Sequence, residues 1–121
     1  MIKFETVYED DNVLIIDKPV GCEVAAEDGS EDLLTAVREL AGDSKIEAVH
    51  RLDRNTAGLV IFSKNDEAYN ELFSAFGESE EYKIQKFYIA EVYGALHKKS
   101  ATLNAFLFKD TAHLQRYIPA E

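Results

Sequence analysis

The sequence holds a single cysteine, Cys22, so an intramolecular disulfide framework and a cysteine-rich metal site are both excluded. The three histidines, His50, His97 and His113, form no recognised ligand spacing with one another or with Cys22, and no metal is expected. Long apolar runs are missing too. Val13–Ile16 and Leu59–Phe62 are among the longest purely apolar runs, far short of the roughly 18 residues of a membrane span. The start, Met-Ile-Lys-Phe-Glu-Thr, has no basic stretch leading into an apolar one, so no signal peptide is expected and the cytoplasm is the expected compartment. There is no glycine-rich phosphate loop, no strand-turn-helix serine nucleophile, no internal repeat and no linker. Basic residues are scarce: 13 against 23 acidic ones, a net charge of −10. That is the reverse of a small basic nucleic-acid-binding domain, whose pI lies above about 9.

What is present is a chain of 121 residues, 46% hydrophobic and 30% charged, enough for one domain with a core. Lys3–Tyr8 is a β-leaning segment, Glu9–Asn12 a polar turn, and Val13–Ile16 a short branched run that stops at Lys18-Pro19-Val20-Gly21. This reads as a hairpin with the second strand the more buried. Residues 22–30 read as a loop. Ser30 is the expected N-cap of a first helix, with Glu31 and Asp32 in its first turn, Leu33, Leu34, Val37, Leu40 and Ala41 on its apolar face, and Gly42 at its end. A short extended segment, Ala48–Leu52, precedes a polar loop from Asp53 to Gly58, and Leu59–Phe62 is a buried strand. Asn65 caps a second helix whose apolar face is Ala68, Tyr69, Leu72, Phe73 and Phe76, closed by Gly77. An acidic loop, Glu78–Glu81, follows. Phe87–Tyr93 and Ala101–Phe108 read as further strands. The order ββαββαββ predicts an α+β fold, a mixed but mainly antiparallel sheet with two helices.

One segment concentrates chemistry. In His50-Arg51-Leu52-Asp53-Arg54-Asn55-Thr56-Ala57-Gly58 a carboxylate stands between two arginines in a polar loop between extended segments. Cationic neighbours can hold a carboxylate ionised and oriented, which is how a nucleophilic or general-base aspartate is built. The same residues would also make an ordinary surface salt bridge in a turn. Spacing alone leaves both open.

His50-Arg51-Leu52-Asp53 followed by Arg54-x-Thr56-x-Gly58 resembles the HRLDxxTxG signature of RluA-type pseudouridine synthases. Three more blocks agree in order. Tyr8–Gly21 is similar to the family's opening hairpin and KPxG turn. Lys64-Asn65 and the helix after it are similar to the next block. Lys86–Gly94 is similar to the KxYxAxVxG strand. The resemblance covers residues 1–94 approximately, leaving 95–121 as a poorly matched tail of one partial catalytic domain.

That resemblance implies isomerisation of uridine to pseudouridine in structured RNA, ribosomal or transfer, with no cofactor. It implies Asp53 as the essential aspartate, acting as nucleophile or as base on the ribose, and Tyr88 as the active-site tyrosine that packs on the uracil. Arg51 would enter the space left by the flipped base, with Arg54 and His50 beside it on the RNA. Thr56, Gly58, Pro19 and Gly21 read as structural.

In the family the catalytic domain continues, with a TGRxHQIR-like block whose basic residue pairs with the aspartate; His113 and Arg116 do not fit it. The resemblance is therefore to the first part of the fold, and a non-catalytic, RNA-binding remnant is the alternative expectation. An unpaired apolar strand edge would promote self-association. A glycosidase using Asp53 with Asp17 or Glu91 is a third class, without supporting spacing. The charge is unevenly spread: residues 1–44 carry −9 and 65–85 carry −5, whereas 45–64 and 86–121 each carry +2. The only net-positive stretches hold Asp53 and Tyr88, so binding of phosphate through local cations remains compatible with the acidic total.

Overall fold

The computed structural model describes residues 1–77, 83–108 and 116–119; the acidic loop Glu78–Glu81 and His113 lie outside them. Two compact units are present, Met1–Lys86 and Phe87–Glu121. In the first, β1 (Glu5–Glu9), β2 (Val13–Lys18), β3 (Glu47–Ala48) and β4 (Gly58–Ser63) form a sheet of order β1-β2-β4-β3, with helices α1 (Leu33–Ala41) and α2 (Asp66–Phe76). Every pairing is antiparallel, so the arrangement is α+β as expected, without the parallel component that a mixed sheet would have.

Alternation along the strands places the core. On β2, Leu14, Ile16 and Lys18 point to one face and are buried; on β4, Val60 and Phe62 do the same. Against them pack Leu33, Leu34 and Val37 of α1, with Val24, Ile46 and Leu52 from the connecting segments. Leu52, the residue before Asp53, is therefore anchored in the core.

The first helix starts two residues later than the sequence suggests. Asp32, not Ser30, is the N-cap: its carboxylate accepts from the N–H of Thr35 at 2.7 Å and from that of Ala26 at 2.8 Å. Three polar residues in a row could each cap a helix, and the second bond, to a loop residue, selects Asp32. Leu40 falls outside the buried stripe and is 75% exposed. Gly42 ends the helix in the left-handed region, φ 65°, as expected. Because Asp32 satisfies two backbone donors, Asp32→Ala is expected to lower stability by about 1–2 kcal/mol in urea unfolding, while Ser30→Ala leaves the midpoint unchanged. The second helix has the expected ends but not the expected buried face: Asn65 caps it by accepting from the Ala68 N–H at 2.9 Å and Gly77 follows its end, yet of its apolar face Ala68 alone is buried and Phe73 is 59% exposed.

In the second unit β5 (Ala105–Phe108) pairs with β6 (Arg116–Pro119). Phe87–Tyr93, expected as a long strand, is not one: its residues are all exposed and carry no strand assignment. A strand exists through its ladder partner, and alternation of aromatic and branched residues does not supply one. The element order matches ββαββαββ: β5 lies within the expected Ala101–Phe108, whereas the other strand of the pair is Arg116–Pro119 and not Phe87–Tyr93.

Self-association was expected through an exposed strand edge; among the described residues the edge strands of the first unit are β1 and β3. The edge strand β1 is Glu-Thr-Val-Tyr-Glu, with a register irregularity between Thr6 and Tyr8. The other edge, β3, has two residues. Charge, irregularity and brevity each discourage edge pairing.

Candidate active site

The aspartate loop leaves the sheet at the end where β2 stops and β4 begins, the Lys18↔Gly58 register pair. Its backbone is held on both sides of Asp53. Before it, Leu52 is buried. After it, the carbonyl of Arg54 accepts from the N–H of Gly21 at 2.7 Å and from Lys18 Nζ at 3.3 Å. Within the turn, the Asp53 carbonyl accepts from the Thr56 N–H at 3.0 Å. Gly58, at φ 137°, brings the chain back into β4 in a conformation that favours glycine.

Lys18 is the functional neighbour that sequence reasoning passed over. Its side chain is fully buried, and Nζ also donates to the carbonyls of Pro19 and Cys22, both at 2.8 Å. One ammonium thus ties the Pro19–Cys22 turn to the loop that carries Asp53. A signal was present: Leu14, Ile16 and Lys18 share the inward phase of β2.

The Asp53 carboxylate is not used by the fold. Asp53 is exposed, and among the described residues no hydrogen bond or ion pair engages its side chain. The three ion pairs among them join the N-terminus of Met1 to Glu31, Arg38 to Glu47 and Lys64 to Glu9. The expected clamp by Arg51 and Arg54 is absent; both arginines are exposed in the same turn, with guanidinium groups left for another partner. The ordinary reading of the motif, a salt-bridged turn, loses its basis in the same observation.

His50 sits differently from an exposed phosphate ligand. Its ring is half-buried, stacked on Phe76 with centroids 4.2 Å apart, and Nε2 accepts from the Ile61 N–H at 3.0 Å. Burial, aided by the nearby charge of Lys86, pushes the imidazole below its ordinary value of 6.5. A depressed folded-state value means that the unfolded chain binds the proton more readily. The stability tied to neutral His50 is thus fully present above pH 6.5 and is lost as the pH falls from there through the lower folded value. Between pH 7.5 and 5 the urea midpoint is expected to fall more for the natural chain than for His50→Gln, which keeps an acceptor but does not titrate.

Tyr88 belongs to the second unit and is 62% exposed. An open cleft of about 850 Å³ lies at the other end of the sheet, between the β1–β2 turn and α2, lined by Asn12, Val13, Ala68 and Glu71 among others. It is remote from the Lys18↔Gly58 end and is not the aspartate site. Among the described residues no cluster of histidine, cysteine and carboxylate side chains suits a metal ion, and no helix is long and apolar enough to cross a membrane.

The family model described as RNA pseudouridylate synthase matches residues 12–118. The chain belongs to this family. Relatives in it include the ribosomal large subunit pseudouridine synthase C of Vibrio vulnificus, 34% identical over 106 residues, which covers 86% of this chain and 33% of the relative. The ribosomal large subunit pseudouridine synthase D of Pseudomonas aeruginosa is 35% identical over 101 residues, 78% of this chain and 31% of its own. An uncharacterized RNA pseudouridine synthase of Aquifex aeolicus is 28% identical over 125 residues, 96% of this chain and 39% of its own. The chain thus spans about a third of the length of these curated relatives.

Proposed function

We propose that this chain carries the aspartate site of an RNA pseudouridine synthase, with Asp53 attacking the ribose or removing a proton from it as uracil departs, rotates and rejoins through carbon 5. The observation that carries the reading is the contrast at Asp53. Its backbone is fixed from both sides, while its carboxylate is exposed and engaged by no other described residue. A held backbone with an uncommitted carboxylate leaves that group available to attack or to accept a proton. Family membership supplies the reaction class, and the names of the ribosomal large subunit synthases among the relatives favour large-subunit ribosomal RNA as the substrate, met in the cytoplasm.

Arg51 and Arg54 are the proposed RNA contacts: exposed, unpaired within the described residues, and flanking the aspartate. A guanidinium can fill the space of an extruded base and bond to its neighbours at once. Tyr88 is proposed to meet the uracil. The chemistry needs no metal or cofactor in this reading. With so few cations in reach, binding should be weak, and because it rests on phosphate contacts it should fall as salt rises.

The test is release of tritium from ribosomal RNA labelled at uridine carbon 5, measured with the chain itself. Release at low salt, lost on raising salt, supports the reading. RNA binding without release at any salt favours a non-catalytic RNA-binding piece of such an enzyme.

A further inference from the structure

The end of the β3–β4 ladder is unusual. The register Glu47↔Ser63, Ala48↔Phe62 continues to Val49 opposite Ile61. Alternation along β4 turns both polar backbone groups of Ile61 toward this neighbour, so a regular ladder would exchange two bonds there. Only one is made by backbone: the Val49 N–H donates to the Ile61 carbonyl at 3.5 Å. The other goes to a ring, since the Ile61 N–H donates to Nε2 of His50 at 3.0 Å. The imidazole stands where the carbonyl of Val49 would have been. The main chain is thereby released from the sheet at His50 and turns into Arg51-Leu52-Asp53.

We propose that His50 is a positioning residue for Asp53, ending the ladder with its side chain so that the aspartate turn departs from the sheet at a fixed point, rather than a ligand for RNA phosphate. The proposal rests on Asp53 being the reacting carboxylate. Accepting at Nε2 requires a lone pair there, so the ring is neutral with its proton on Nδ1. A neutral, half-buried ring stacked on Phe76 offers little to a phosphate. It does offer geometry. Phe76 ends α2, Ile61 lies within β4, and His50 joins both to a turn that reaches Asp53 three residues later. The far side of that turn is held separately through the Arg54 carbonyl and the Thr56 N–H. With both sides held, the carboxylate stands at one place; releasing one side displaces it, and a displacement of about 1 Å at a reacting group costs on the order of 100-fold in rate.

Two variants separate the roles of the ring. His50→Phe keeps an aromatic face for Phe76 and removes the acceptor. His50→Gln returns an acceptor near the position of Nε2 and removes the ring. In tritium release from uridine-labelled RNA, His50→Phe is expected to lower kcat by roughly 10- to 100-fold with KM changed less than about twofold, and His50→Gln to recover most of the loss. A rise in KM with kcat retained marks a phosphate contact and overturns the proposal, as does equal loss of kcat in both variants.

Amide hydrogen exchange on the protein alone gives a readout that does not require turnover. His50→Phe should speed exchange at Ile61 and at Thr56, whose N–H reports the Asp53 turn, while the β2–β4 ladder keeps its protection. Unchanged protection at both amides overturns the proposal. If the natural chain releases no tritium, the synthase reading fails and this arm alone decides the role of His50. Should His50→Phe not fold, nitrogen-15 shifts of the natural imidazole decide it: a proton on Nε2 overturns the proposal, and one on Nδ1 with an accepting Nε2 supports it.

Discussion

Asp53→Asn is expected to abolish tritium release, by on the order of 10³-fold or more, without lowering the melting temperature. Both halves follow from the same geometry. The amide is isosteric with the carboxylate, and the loop is held by main-chain bonds and by Leu52, so nothing the fold uses is removed. What disappears is the carboxylate charge to which the proposed reaction assigns attack on the ribose or acceptance of its proton. Asp53→Glu keeps the charge but moves it outward by one methylene from a turn whose backbone does not follow. It should also lose most activity, because orientation and not charge alone makes the group reactive. The opposite pattern, a lower melting temperature with turnover retained, is what a salt-bridged turn would give. Circular dichroism melts and the tritium assay on the same two variants distinguish these outcomes.

Much of the frame was legible because local and tertiary demands agree there. The branched runs of β2 and β4 are buried strands, and Asn65 caps α2 as its side-chain oxygen allows. Where reading failed, the deciding contact was distant in sequence. Asp32 wins the cap from Ser30 through the N–H of Ala26. Phe87–Tyr93 has the composition of a strand and no ladder. The position of Asp53 was legible from its motif, but the reason it stands free was not. Arginines on either side suggest a clamp, and only the structure shows that among the described residues neither pairs with the aspartate. His50 is the sharpest case. A histidine in a basic turn reads as an RNA contact, and nothing in the sequence signals the bond its ring accepts from the Ile61 N–H, eleven residues later.

Lys18→Met is expected to lower stability by about 3 kcal/mol, which for a unit of this size is a fall of roughly 10–20 °C in melting temperature. Two effects oppose each other. A buried ammonium is costly to desolvate, and methionine removes that cost along with the charge. Against this, the carbonyls of Pro19, Cys22 and Arg54 lose their shared donor at once in a site from which the side chain excludes water. Each orphaned buried carbonyl costs about 1–3 kcal/mol; the Arg54 carbonyl keeps the Gly21 N–H, but those of Pro19 and Cys22 lose the ammonium, and the two together outweigh the relief from desolvation. Methionine matches the length of the lysine stem, so the loss is one of hydrogen bonding and not of volume. Lys64 provides the contrast. It is surface-placed and pairs with Glu9 at 2.9 Å, and Lys64→Met should give a far smaller drop. The Lys18 loss should also be local in its first stage. The Gly21 N–H, which shares the Arg54 carbonyl with Nζ, is expected to show faster hydrogen exchange in Lys18→Met before the β2–β4 ladder does. A variant that melts with the natural chain, and whose Gly21 amide stays protected, would show that the 2.7 Å backbone bond holds the aspartate loop to the Pro19–Cys22 turn without the ammonium.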